Sequence, residues 1–102
     1  ACWKIRDEQR GKLGEVSFDK DNKINNIVDK NKNTGYEYAW GALTFSNKLV
    51  NYIDADDPHI GYAAKKAVDN GDTLTAKIID GKYYDCGTPK EYLELLEETL
   101  IN

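Results

Sequence analysis

The chain has 102 residues, 40% hydrophobic and 31% charged, with a net charge of −4. That length predicts one domain with a modest core, and that composition excludes wholesale disorder. Lys and Arg are scattered rather than gathered into a stripe, and no apolar run approaches the roughly 18 residues of a membrane span, so neither nucleic acid nor a membrane is expected as a partner.

The segment ACWKI, residues 1–5, reads as a short strand, and RDEQRGK after it as a polar turn. LGEVSF alternates, with Leu13, Val16 and Phe18 as inward positions. DKDN supplies turn chemistry before KINNIV, so residues 14–28 are expected to form a β-hairpin. After the polar loop DKNKNTG comes YEYAWGALTF, the most strand-like stretch, interrupted by Gly41. That glycine marks either a bulge or a close approach by another group.

Ser46 is placed to cap a short helix, NKLVNYI, with Leu49, Val50 and Ile53 on its apolar side. HIGYAAKKAVDNG predicts a helix with Ile60, Ala63, Ala64, Ala67 and Val68 inward and Gly71 at its stop. The acidic run at 54–57 before it reads as a solvated loop, and His59 as a surface residue rather than a catalytic one. DTLTAKII and KYYD are expected to be strands joined by a tight Asp-Gly turn. The last helix is the best specified, with Thr88 as N-cap, Pro89 at the first position and Glu91 completing a capping box. Tyr92, Leu93, Leu96 and Leu100 then form a stripe expected to be packed.

Cys2 and Cys86 could pair, but two cysteines are not a disulfide framework, and reduced thiols in a cytoplasmic protein are expected. No secretory leader is expected. The lack of any methionine and the abrupt start at Ala1 suggest a piece of a longer chain or a processed product.

The run GKYYDCGTPKEYLELLEETL, residues 81–100, resembles the C-terminal part of the sugar-1-phosphate nucleotidyltransferases. That family ends on an aromatic residue, Asp-x-Gly-Thr-Pro and a Tyr-Leu helix, matched here by Tyr84, Asp85, Gly87, Thr88, Pro89, Tyr92 and Leu93. KLGEVSFDKDNKINNIVDK is similar to its glycine hairpin leading to a Glu-Lys pair, and YEYAWGALTFSNKL to its strand with a central glycine. GYAAKKAVDNGDTLTAKIIDGKYYD is similar to its late helix and strand. The likeness therefore runs in order over nearly all of the chain. Four departures accompany it. No Gly-rich nucleotide loop occurs, the first metal-binding aspartate of the family's nucleotide-binding half is absent, Asp29-Lys30-Asn31 stands in place of Glu-Lys-Pro, and Tyr62 stands where some members carry a metal aspartate.

The resemblance implies a fold and a chemistry. The fold is α/β, a mixed sheet flanked by helices, the C-terminal half of a Rossmann-like nucleotidyltransferase domain. The reaction moves a nucleoside monophosphate from an NTP to a sugar-1-phosphate, releasing pyrophosphate. Such a transfer needs positioning and positive charge at the phosphoryl oxygens rather than a covalent nucleophile. Mg²⁺ is the implied cofactor, and it favours carboxylates together with phosphate oxygens. Asp85 is its implied ligand, the alternative being a carboxylate that only bonds backbone in the turn before the helix. Lys30 is the candidate phosphate contact and Asp29 a contact to sugar hydroxyls, against a solvated loop lysine and its neighbour. Gly14 and Gly41 could admit substrate to the backbone, or serve a turn and a bulge. Tyr38 and Trp40 could wall the sugar site or pack in the core. The NTP itself is expected to be held by an N-terminal half outside this sequence, so the 102 residues alone are expected to be inactive. Two other readings remain: a small non-enzymatic sugar- or protein-binding domain, and a transferase with a non-sugar acceptor such as phosphocholine.

Overall fold

The computed structural model describes residues 1–101. Four strands form one sheet: β1 (Cys2–Lys4), β2 (Gly14–Phe18), β3 (Ile24–Asp29) and β4 (Tyr38–Trp40), in the order β1-β4-β2-β3. Two α-helices follow, α1 (Ile60–Asp69) and α2 (Pro89–Ile101), with short 3₁₀ helices at Asp7–Gln9 and Asn47–Tyr52. The molecule is thus a small α/β domain with an antiparallel sheet.

The β2–β3 hairpin forms as its turn residues specify. Asp19 Oδ1 accepts from the backbone of Asp21 at 2.9 Å and of Lys23 at 3.0 Å, which closes the turn. Val16, buried, faces Ile27 across the ladder, and both meet Cys2, Ile24, Ala64 and Ala76 in the main core. Small residues let α1 approach the sheet closely: Ala63, Ala64 and Ala67 are all buried on the expected face. Gly71 ends the helix in a left-handed conformation at φ 90, where a side chain would be strained. The helix start differs from the simplest expectation, since exposed His59 caps it, its Nδ1 accepting from Gly61 N at 3.0 Å.

Several expectations are corrected. The sheet is antiparallel rather than mixed; among the described residues the parallel link is a single isolated bridge, Cys2 with Ile78. Residues 72–79 form no strand. Leu74 O and Ala76 N bond to Ile24 N and Asn22 O at the start of β3, whereas Lys77 O and Ile79 N bond to Cys2 at the start of β1. The segment splits its hydrogen bonds between the two edge strands, so neither ladder continues. Residues 82–85 are likewise irregular, because the Tyr83 carbonyl accepts from side chains, Arg6 Nη2 at 2.9 Å and Gln9 Nε2 at 2.8 Å, instead of from a strand.

β4 stops at Trp40, so the long strand expected beyond Gly41 is absent. The 47–52 segment winds as a 3₁₀ helix, whose three-residue turn puts Leu49 and Tyr52 on the inner side and leaves Val50 and Ile53 exposed. Ser46 stands at its N-cap position without a side-chain bond. The α2 capping pair does form, Glu91 N donating to Thr88 Oγ1 at 3.2 Å and the Thr88 hydroxyl to Glu91 Oε1 at 2.8 Å. Its stripe is not packed, however: Tyr92, Leu93 and Leu100 are exposed and Leu96 is half-buried. Among the described residues the helix makes no extended contact with the sheet or with α1; Lys82 and Glu98 are 2.8 Å apart and link it to the preceding segment.

No helix among the described residues is long and apolar enough to cross a membrane. Cys2 and Cys86 are both free, the first buried and the second exposed. Burial pushes the Cys2 thiol above its ordinary pKa, so folding favours the neutral form. That contribution is present below the ordinary thiol pKa and is lost as pH rises through the folded value. N-ethylmaleimide at neutral pH is therefore expected to modify Cys86 and spare Cys2, as read by peptide mass spectrometry; equal modification of both would contradict this packing.

Candidate functional site

The hairpin register places Gly14 directly across from Asp29, with Lys30 the next residue. Lys30 takes a left-handed conformation at φ 51, and its backbone N–H donates to Leu13 O at 3.1 Å. The Trp40 ring lies over Gly14 so closely that an added Cβ would sit 2.4 Å from its Nε1. Gly14, Asp29 and Trp40 therefore gather at one end of the hairpin, beside an exposed lysine. Alternation along the strands puts this group on the face that α1 covers.

Gly41 belongs to a second group. A Cβ there would come within 2.8 Å of the rings of both Trp3 and Tyr83, which pack tilted at 42° with centroids 5.1 Å apart. Of the readings open for Gly41, the close approach by another group is the one seen, the two aromatic rings filling the side where a Cβ would lie. Tyr83 anchors the segment that carries Asp85, and its phenol is pushed up by burial, with the Asp85 carboxylate adding to the shift. Trp3 shares the sheet face of Ala39, opposite to that of Trp40. Tyr38 turns inward and packs on Phe18 at 5.2 Å between centroids, a core role.

Asp85 is exposed, just before the capped start of α2. Among the described residues its carboxylate has no hydrogen-bond partner, so the turn-bonding alternative is not what this structure contains. A single free carboxylate fits Mg²⁺, which is commonly held by one or two carboxylates plus phosphate oxygens. Asp85 and Lys30 line neither of two cavities. One, about 650 Å³, opens between residues 42–49 and 71–75 and is lined by Leu43, Phe45, Leu49 and Leu74. The other, about 400 Å³, lies between Arg6, Lys82, Tyr84 and Glu94, Glu97 and Glu98 of α2.

Residues that the sequence reading missed hold these groups in place. Arg6 and Gln9 fasten the Tyr83 carbonyl, and the Arg6 guanidinium stacks over Tyr84 at 4.6 Å. Glu15 is 0% exposed and pairs with Arg10 at 3.3 Å. Strand alternation marked Glu15 only as outward from the core; nothing in the pattern signalled the loop that covers it. Comparison of the chain with models of known families and with curated proteins finds no match to either.

Proposed function

We propose that this chain is the acceptor-binding part of a nucleotidyltransferase of the Rossmann-like kind, joining a nucleoside monophosphate to a sugar-1-phosphate. The ordered motifs ending in Asp85-Cys86-Gly87-Thr88-Pro89 support the reading. The observation that carries it is the Asp85 carboxylate, exposed and, among the described residues, without a hydrogen-bond partner at a capped helix start. Such a group is available to Mg²⁺, which when bound would neutralise phosphate charge. Lys30 would meet the acceptor phosphate as a flexible point charge, and Asp29 the sugar hydroxyls. Gly14 lies under the Trp40 ring, which leaves no room for a side chain beside Asp29. The NTP would be held by residues outside this sequence, so the chain alone gives no turnover.

The test is isothermal titration of a panel of sugar-1-phosphates with and without Mg²⁺. Binding is expected only with Mg²⁺ and is expected to weaken about tenfold in Asp85→Asn, the loss of one charge-assisted contact. Binding of phosphocholine but of no sugar-1-phosphate would change the acceptor class. Binding of neither, or steady NDP-sugar production by the chain alone, would overturn the reading. A non-enzymatic binding domain is the second reading, and the 650 Å³ cavity, with neither Asp85 nor Lys30 in its wall, is the observation in its favour.

A further inference from the structure

We propose that Glu15 is a positioning residue for the acceptor site: its buried carboxylate latches the loop of residues 31–36 to the back of the sheet and so fixes where Lys30 presents its charge. The proposal rests on the acceptor role given to Lys30 above. Glu15 follows Gly14 in β2 and points away from the α1 face, yet it is completely buried. What buries it is the loop itself. The Thr34 hydroxyl donates to Glu15 Oε1, and Arg10 Nη1 reaches the same oxygen at 3.3 Å. Arg10 Nη1 also donates to the Tyr36 carbonyl, and Tyr36 N donates to Thr34 Oγ1 at 3.1 Å. One carboxylate thus gathers the loop that follows Lys30 and the arginine that braces it.

The strand side of Lys30 is fixed separately, by the bond from its N–H to Leu13 O. A non-glycine residue with φ 51 persists where its surroundings over-determine it. The ladder supplies that constraint on one side of Lys30 and the Glu15 latch on the other. A polar loop on the surface needs no buried carboxylate to exist, and burying one is costly unless it is bonded. What the latch adds is a single geometry for the loop.

The experiment compares the unmodified chain with Thr34→Val, Glu15→Gln and Lys30→Ala, using amide hydrogen exchange and isothermal titration with inorganic phosphate in the presence of Mg²⁺. Thr34→Val removes the donor without touching Glu15 or Lys30. It is expected to speed exchange of the amides at 31–36 by about tenfold or more while α1 is unchanged. It is also expected to weaken phosphate binding to the level of Lys30→Ala. Glu15→Gln keeps the acceptor for Thr34 and is expected to retain most of the loop protection and of the phosphate affinity. Unchanged loop exchange in Thr34→Val overturns the latch. A loosened loop that binds phosphate as tightly as before overturns the positioning role and leaves the acceptor reading standing. No phosphate binding by the unmodified chain removes the acceptor reading, and the positioning role with it, even where the exchange shows the latch itself.

Discussion

Arg10→Ala is expected to destabilise the fold by about 3 kcal/mol, near the low end for breaking a buried ion pair. The arginine itself is 30% exposed, but Glu15 is 0% exposed and has nowhere else to find a cation. Among the described residues its Oε2 has no hydrogen-bond partner, so the loss falls on a group with little reserve. The Tyr36 carbonyl loses its donor in the same step. Urea denaturation should show a lower midpoint with an unchanged slope. The double replacement Glu15→Leu with Arg10→Met should recover most of the loss, because it removes the buried charge instead of stranding it. A single variant as stable as the unmodified chain would mean that Glu15 is not charged and paired as described.

Gly41→Ala carries the second large effect, a loss of about 2 kcal/mol from overpacking. The cost is steric rather than conformational, since the added carbon would sit 2.8 Å from both the Trp3 and the Tyr83 rings. Neither ring can yield cheaply. Trp3 lies in β1, and the Tyr83 carbonyl is held by Arg6 and Gln9. If Tyr83 moves, Asp85 two residues on moves with it, so the Mg²⁺-dependent binding of a sugar-1-phosphate proposed above should weaken as well. An unaltered urea midpoint would show that the rings can part at no cost.

These two positions show what could be read from the sequence and what could not. The hairpin was legible because its Asp/Asn turn and the alternation of Val16 with Phe18 act over a few residues. The start of α2 was legible for the same reason, Thr88, Pro89 and Glu91 being a local signal. Non-local choices were not. Residues 72–79 have strand composition, but their backbone divides between β1 and β3. The stripe on α2 has helical spacing, yet this chain sets no surface against Leu93 or Leu100, which stay exposed. Glu15 was invisible as a buried residue because its cover comes from a loop with no pattern of its own. The candidate site divides along the same line. Register brought Gly14 and Asp29 together, whereas the rings over Gly41 depend on a contact between residues far apart in sequence.

The central claim, that Asp85 grips a cation facing an anion bound at Lys30, is tested most directly by paramagnetic broadening. Mn²⁺ in place of Mg²⁺ would be added to the labelled chain with a sugar-1-phosphate present, and the amide spectrum recorded. The account predicts that the amides of Asp85 and Lys30 broaden together and that Asp85→Asn raises the Mn²⁺ concentration needed for both effects by about tenfold. Broadening confined to the glutamates of α2, with Asp85 and Lys30 left sharp, would contradict it.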